Sequence, residues 1–189
     1  MDFEKIVENL KKRGFDAVFA PTRAEAVEKA LSFIPDGSSV SWGGSVSIEE
    51  SGLLERVKSG NYERFDRDNA KSPEERTELM RRSLLSDVFL TSFNAMSEDG
   101  ILYNIDGNGN RVAAIAFGPK SVVALVGANK IVRSESELES RALKIAAPLN
   151  AKRLKIENED DICGIFVKTR ICRIKNRIKI ILVGESLGY

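Results

Sequence analysis

Residues 88–117 read VFLTSFNAMSEDGILYNIDGNGNRVAAIAF, two short strands and a helix joined by acidic, glycine-rich loops. The apolar run at 88–92 predicts a short buried strand. A polar loop with Glu98 and Asp99 follows, then a second strand over 101–105. The loop Asp106-Gly107-Asn108-Gly109-Asn110 then feeds an Ala-rich helix that closes at Phe117. Two acidic, glycine-rich turns thus bracket one short strand, and such turns beside the strands of an α/β sheet are where ligands are held.

Outward from this stretch, strands and helices alternate. Phe3, Ile6, Val7 and Leu10 fall at helical spacing, closed by Gly14, and 15–20 reads as a strand. Thr22 and Glu25 make a capping box for a helix carrying Val27, Ala30 and Leu31. A strand over 38–42 runs into Gly43-Gly44-Ser45 and a helix from about Ser47, with Ser47 and Glu50 as its box and Ile48, Leu54 and Val57 facing the core. A short strand at 62–66 precedes Ser72-Pro73-Glu74-Glu75, a helix start with cap, Pro at the first helical position and acidic first turn.

Downstream, 121–126 is a continuous apolar run of the kind buried on both faces of a parallel sheet. Ser134 and Glu137 cap a helix through Ala147, which Pro148 is expected to stop. The acidic run 157–161 is expected to be solvated. Around 172–180 the apolar and basic residues alternate, which predicts a C-terminal hairpin turning at Lys175-Asn176, and 180–183 loses the alternation as a fully buried strand does. The fold class is therefore α/β, a mostly parallel sheet flanked by helices on both faces with a C-terminal β-hairpin. One domain over 1–189 is expected, since no repeat, linker or low-complexity segment divides the chain.

Composition narrows the chemistry. With 29 basic and 28 acidic residues the net charge is +1, so the overall field points to no nucleic-acid partner and no anionic membrane surface. No stretch approaches the length of a membrane span and the charged N-terminus is unlike a signal peptide, so a cytoplasmic location is expected. Two cysteines, Cys163 and Cys172, read as reduced thiols. There is no histidine, which excludes Ser–His and Cys–His nucleophile systems and His-based zinc sites.

Three loops carry candidate site residues. Gly43, Gly44 and Ser45 end a strand before a helix and let main-chain N–H groups approach an anion, while matching neither nucleotide-binding glycine pattern. Glu98 is placed beyond a strand end, where a carboxylate can act as base or nucleophile, with Asp99 beside it as a ligand-binding candidate or simply the first residue of an Asp-Gly turn. The segment NIDGNGNR offers Asn104, Asp106, Asn108 and Asn110 for hydroxyls or a carboxylate and Arg111 for a bidentate grip on an anion, and it departs from the calcium-loop spacing. Lys152 and Arg153 are further anion candidates. No metal site is expected.

The segments VSWGGSVSIEESGLL, FDRDNAKSPEER, DVFLTSFNAMSEDGILYNIDGNGNRVAAIAFGPK, NKIV, IAAPLNAKRL and IILVGESLGY resemble the LUD-domain family of lactate-utilisation proteins over nearly the whole chain. The resemblance implies the fold shared by ribose-5-phosphate isomerase, glucosamine-phosphate deaminase and the CoA transferases, whose ligands sit at the carboxyl edge of the sheet. By that analogy Gly43, Gly44 and Ser45 hold the anion, while Glu98 and Asp106 supply catalytic carboxylates. It also implies a role in oxidising L-lactate to pyruvate, or in related hydroxy-acid metabolism, beside iron–sulfur subunits. The alternatives are a stand-alone phosphosugar isomerase or CoA-transferase-type enzyme using Glu98, and a non-catalytic subunit of an iron–sulfur complex. Many relatives resemble one another in a C-terminal cluster of several cysteines, where only Cys163 and Cys172 stand here; two cysteines cannot complete a four-cysteine site, and no cofactor is expected. The expected partners are a small anionic metabolite and, by symmetry, a second copy in a homodimer.

Overall fold

Every residue from Val122 to Gly127 is buried, and the strand they form is the middle of the molecule. The computed structural model describes the main chain of residues 1–189 and all side chains except those of Glu159 and Asp160, so the acidic run 157–161 falls partly outside the described residues. In chain order the elements are α1 (Phe3–Lys12), β1 (Asp16–Ala20), α2 (Arg23–Ser32), β2 (Ser39–Trp42), α3 (Val46–Glu50), α4 (Leu53–Ser59), β3 (Glu63–Phe65), α5 (Pro73–Arg82), β4 (Val88–Thr91), β5 (Ala95–Ser97), β6 (Leu102–Asp106), α6 (Asn110–Ala116), β7 (Ser121–Gly127), β8 (Ile131–Val132), α7 (Leu138–Arg141), α8 (Ala147–Leu154), β9 (Ile165–Thr169) and β10 (Ile178–Val183). Among the described residues no helix is long and apolar enough to cross a membrane.

Six strands make one parallel sheet in the order β1-β10-β7-β4-β2-β3. Its two faces are both covered, as the unbroken apolar runs require. Phe89, Val122, Ala124, Ile180 and Leu182 pack with Ile6 and Leu10 of α1 and Ala114 and Ile115 of α6. Residues of opposite parity, Leu90, Val123, Leu125, Ile181 and Val183, pack with Ala26, Val27 and Ala30 of α2 and with Ile48, Leu53 and Val57 of α3 and α4. A smaller sheet, β8-β5-β6-β9, stands beside the first and buries Ala95, Ile101, Tyr103 and Ile105 against Leu138 and Ala142.

Local signals hold where they are short-range. Thr22 Oγ1 accepts from Glu25 N–H, Ser72 Oγ from Glu75 N–H, and Ser134 with Glu137 forms the full capping box. The box expected at Ser47 and Glu50 does not form: the helix starts one residue after Ser45, breaks at Gly52 (φ 83), and Glu50 instead accepts from Gly188 N–H.

Pro148 does not stop its helix. A π-helical turn over Ala142–Ala146, closed by Ala147 N–H donating to the carbonyl of Ala142, runs directly into α8, so the chain stays helical through Pro148. The C-terminal pair of strands is present, and the chain turns at Asn176 (φ 59) where the hairpin turn is expected. The two strands join different sheets: β9 lies antiparallel to β6, while β10 inserts between β1 and β7. Ile180 to Val183 are buried on both faces, and only the centre of the parallel sheet can cover both.

A candidate anion site at the carboxyl edge of the sheet

Five neighbouring parallel strands deliver their following residues to one place. Gly44, Ser45 and Ser47 come after β2, Arg67 after β3, Ser92 and Asn94 after β4, Lys130 after β7, and Tyr189 beyond β10; all line a single cavity of about 350 Å3. The small sheet adds Asp106 and Asn108 from the end of β6, and α8 adds Asn150 and Arg153. A cleft outside the carboxyl ends of parallel strands is the usual ligand position in open α/β sheets.

The lining is cationic. Arg67, Arg76, Arg111, Lys130 and Arg153 stand against Asp106 and Asp161. Arg76 and Arg153 are exposed at the rim, Arg67 and Arg111 are half-buried in the wall, and Lys130 is 3% exposed at the floor. A methyl group built on Gly44 would lie 2.9 Å from Arg67 Nη2 and 3.6 Å from Arg153 Nη2, so two guanidiniums from distant parts of the chain converge on one point. Arg67 Nε is buried without a hydrogen-bond partner, and its approach to Asp68 is a long 3.8 Å. Arg153 rests on the neutral amide of Asn150, at 3.0 Å from Nη2. Burial pulls Arg67 below its ordinary pKa; Asp68 and Asp106 oppose that, and Arg76 and Arg153 reinforce it.

Arg111 is anchored: its guanidinium donates to Asn94 Oδ1 at 3.0 Å and to the carbonyl of Ile105. Asp106 Oδ2 accepts the main-chain N–H of Arg111 (2.9 Å) and of Val112 (3.0 Å), which caps α6 where Gly109 (φ 83) turns the chain. Lys130 Nζ donates to Ser47 Oγ (2.7 Å) and reaches Ser92 Oγ at 3.0 Å. Burial first, then Arg141 and Arg111, lowers its pKa to about 7, with Glu50 opposing. Behind it Arg141 ties the loops after β4 and β7 together by donating to the carbonyls of Asn94 and Asn129.

Of the sequence candidates, Gly44, Ser45, Asp106, Asn108, Asn110, Arg111 and Arg153 line the cavity, and Lys152 does not. Gly43 lies in the wall: its N–H pairs with Leu90, and Arg111 Cδ packs over it. Asn104 is buried and donates to the carbonyl of Ser92, 3.4 Å away, so it supports the loop after β4. Glu98 and Asp99 lie away from the cavity, against α1. Glu98 is tied through its main chain to Val132 and Asn9, and Asp99 pairs with Arg13 at 3.0 Å. The cause is β5, three residues long, which carries the chain away from the carboxyl edge before Glu98 is reached. The residues that do follow β4 into the cavity are Ser92, Phe93 and Asn94.

Sequence reading missed Arg67, Arg76, Ser47, Ser92, Asn94 and Lys130. The same edge rule applied to every strand finds Arg67, two residues past β3, and Lys130, three past β7.

Fold and site together define an α/β protein with a cationic cleft outside the carboxyl ends of a parallel sheet. The LUD domain model matches residues 3–183, and the chain belongs to that family. Among solved structures it is similar to a DUF162 family protein from Deinococcus radiodurans, with TM-score 0.60 and 14% identity, covering 96% of this chain and 95% of that one. Weaker similarity extends to eIF2B delta from Chaetomium thermophilum (TM-score 0.40, 17% identity, 64% of this chain and 54% of that one). Ribose 5 phosphate isomerase A from Neisseria gonorrhoeae gives TM-score 0.35 and 18% identity over 66% of each chain. No curated protein matches the sequence significantly.

Proposed function

We propose that this protein binds a small carboxylate- or phosphate-bearing metabolite in the cationic cavity and through it serves the metabolism of lactate or a related hydroxy acid. The observation that carries the reading is the convergence of Arg67 and Arg153 on Gly44, with Arg67 Nε buried and without a hydrogen-bond partner. Like charges brought together without a close carboxylate repel each other, and an anion between them removes the repulsion while accepting their hydrogen bonds. A glycine at the meeting point leaves room for that anion. Membership of the LUD family supports hydroxy-acid metabolism as the setting. Oxidising a hydroxy acid to an oxo acid releases electrons, which in this reading pass to an iron–sulfur partner.

An isomerase or acyl-transferase working through Glu98 lacks support, because Glu98 lies outside the cavity lining. Thermal unfolding in the presence of lactate, pyruvate, phosphoglycolate and inorganic phosphate tests the proposal. A ligand at a hundred times its Kd adds about 2.7 kcal/mol, a midpoint rise of roughly 5–10 °C in a chain of this size. The rise is expected with at least one of these anions and should vanish in the double variant Arg67→Gln, Arg153→Gln. Silence from all four, or an equal rise in the double variant, contradicts it.

A further inference from the structure

We propose that Lys130 is the reactive group of the cavity, its amine condensing with the carbonyl carbon of an α-oxo acid whose anionic end is held at Gly44 by Arg67 and Arg153. The inference rests on the anion-binding reading above and adds to it a substrate class and a bond-forming step.

Lys130 is 3% exposed, lines the cavity, and has neutral partners: Ser47 Oγ at 2.7 Å and Ser92 Oγ at 3.0 Å. No salt bridge to a carboxylate holds it among the described residues; Glu50 acts on it only at longer range. A buried ammonium without a paired carboxylate costs stability that an apolar side chain would not, so packing gives no reason for a lysine here. A free amine in the same place is cheap, and it is also a nucleophile.

The hydrogen bonds suit that neutral form. Ser47 donates its own hydroxyl proton to the carbonyl of Leu187 at 3.2 Å, so its oxygen receives an N–H from Lys130. The Ser92 hydroxyl, whose side-chain bond is to Lys130, can give its proton to the nitrogen lone pair or take one from it. Around the amine stand Arg141 and Arg111, which disfavour its protonation, and Glu50, which favours it; burial is the largest influence, and the pKa falls to about 7. The free base is therefore populated at neutral pH.

In the step proposed, Nζ attacks the carbonyl carbon and a C–N bond forms while the carbonyl oxygen takes a proton. The carbinolamine then loses that oxygen as water as C=N forms, the amine having supplied both hydrogens. Amine and ketone become imine and water, with no oxidant or reductant involved. Ser92 is placed to pass the proton between nitrogen and departing hydroxyl.

The test incubates the full chain with pyruvate or phosphohydroxypyruvate, reduces with borohydride, and locates the added mass by peptide mapping, while calorimetry follows reversible binding of the same probe. The expected result is about one adduct per chain, on Lys130, with a yield about tenfold lower near pH 6 than near pH 8. Lys130→Arg, which keeps a charge, and Lys130→Met should both lose it; if either fails to fold, the map of the unsubstituted chain decides alone. Reversible binding with no adduct, or adducts scattered over surface lysines, overturns the inference and leaves the anion site standing. Absence of binding by both probes overturns the inference and counts against the anion site as well.

Discussion

A methyl group at Gly44 would press on the free end of Arg67 and on no main-chain atom. Gly44→Ala should therefore leave unfolding by urea almost unchanged while weakening anion binding about ten- to hundredfold, as expected when a charged hydrogen bond of roughly 1.5–3 kcal/mol is displaced. Equal binding by variant and native chain in calorimetry would remove Gly44 from the site. Lys130 makes the stability of the fold depend on pH. Its folded pKa, about 7, lies below the roughly 10.4 of an unfolded lysine, so between these values the unfolded chain holds a proton that the folded chain has released. Stability hence rises with pH through that window, by at most about 1.4 kcal/mol per pH unit, and the Lys130 penalty is complete below about pH 7. Urea titrations at several pH values should show this slope in the native chain and a flatter one in Lys130→Met; identical slopes would contradict the burial argument. Binding of an anion runs the other way, weakening as pH rises through about 7 and the positive charge on Lys130 is lost. Neither residue is conspicuous in the sequence: Gly44 is one of two adjacent glycines, and the lysine of NKIV matters only because its strand ends at the cavity.

Among elements, β10 separates what local pattern can reveal from what it cannot. The loss of alternation over 180–183 marks a strand covered on both faces, and Leu182 is fully buried there. Leu182→Ala should cost about 2–5 kcal/mol in urea unfolding. Ile174, placed by the same alternation in a hairpin, is 55% exposed, and Ile174→Ala should stay within about 0.5 kcal/mol. Comparable losses at the two sites would refute the placement of β10 between β1 and β7. Caps at Thr22, Ser72 and Ser134 were legible because each is settled within four residues by its own side chain. The three-residue β5 was not, being too short to show a period, and with it went the position of Glu98. Pro148 misled for a related reason: the chain passes through a π-turn into α8 there, and no local spacing announces that irregularity. A proline removes one N–H from the helix, and a turn already widened to the π pattern has one irregular bond there to begin with.

The whole molecule carries almost no net charge, yet its one described concentration of arginine and lysine around a cavity lies where five strands end together. Composition averages such a cluster away, because Arg67, Arg111, Lys130 and Arg153 are widely spaced in the chain and only the parallel sheet gathers them. The α/β class could be read from alternating strands and helices, and the carboxyl edge as the ligand side follows from that class. Which side chains meet there depends on strand order, β1-β10-β7-β4-β2-β3, and no local pattern encodes it. In the function proposed, this edge holds an anion between Arg67, Arg153 and the main chain at Gly44 and Ser45. Crystals soaked in selenate test it most directly, through the anomalous scattering of selenium. A peak is expected within hydrogen-bond reach of both guanidiniums, absent from crystals of the Arg67→Gln, Arg153→Gln variant. Selenate bound elsewhere on the surface with this cavity left without a peak would contradict it.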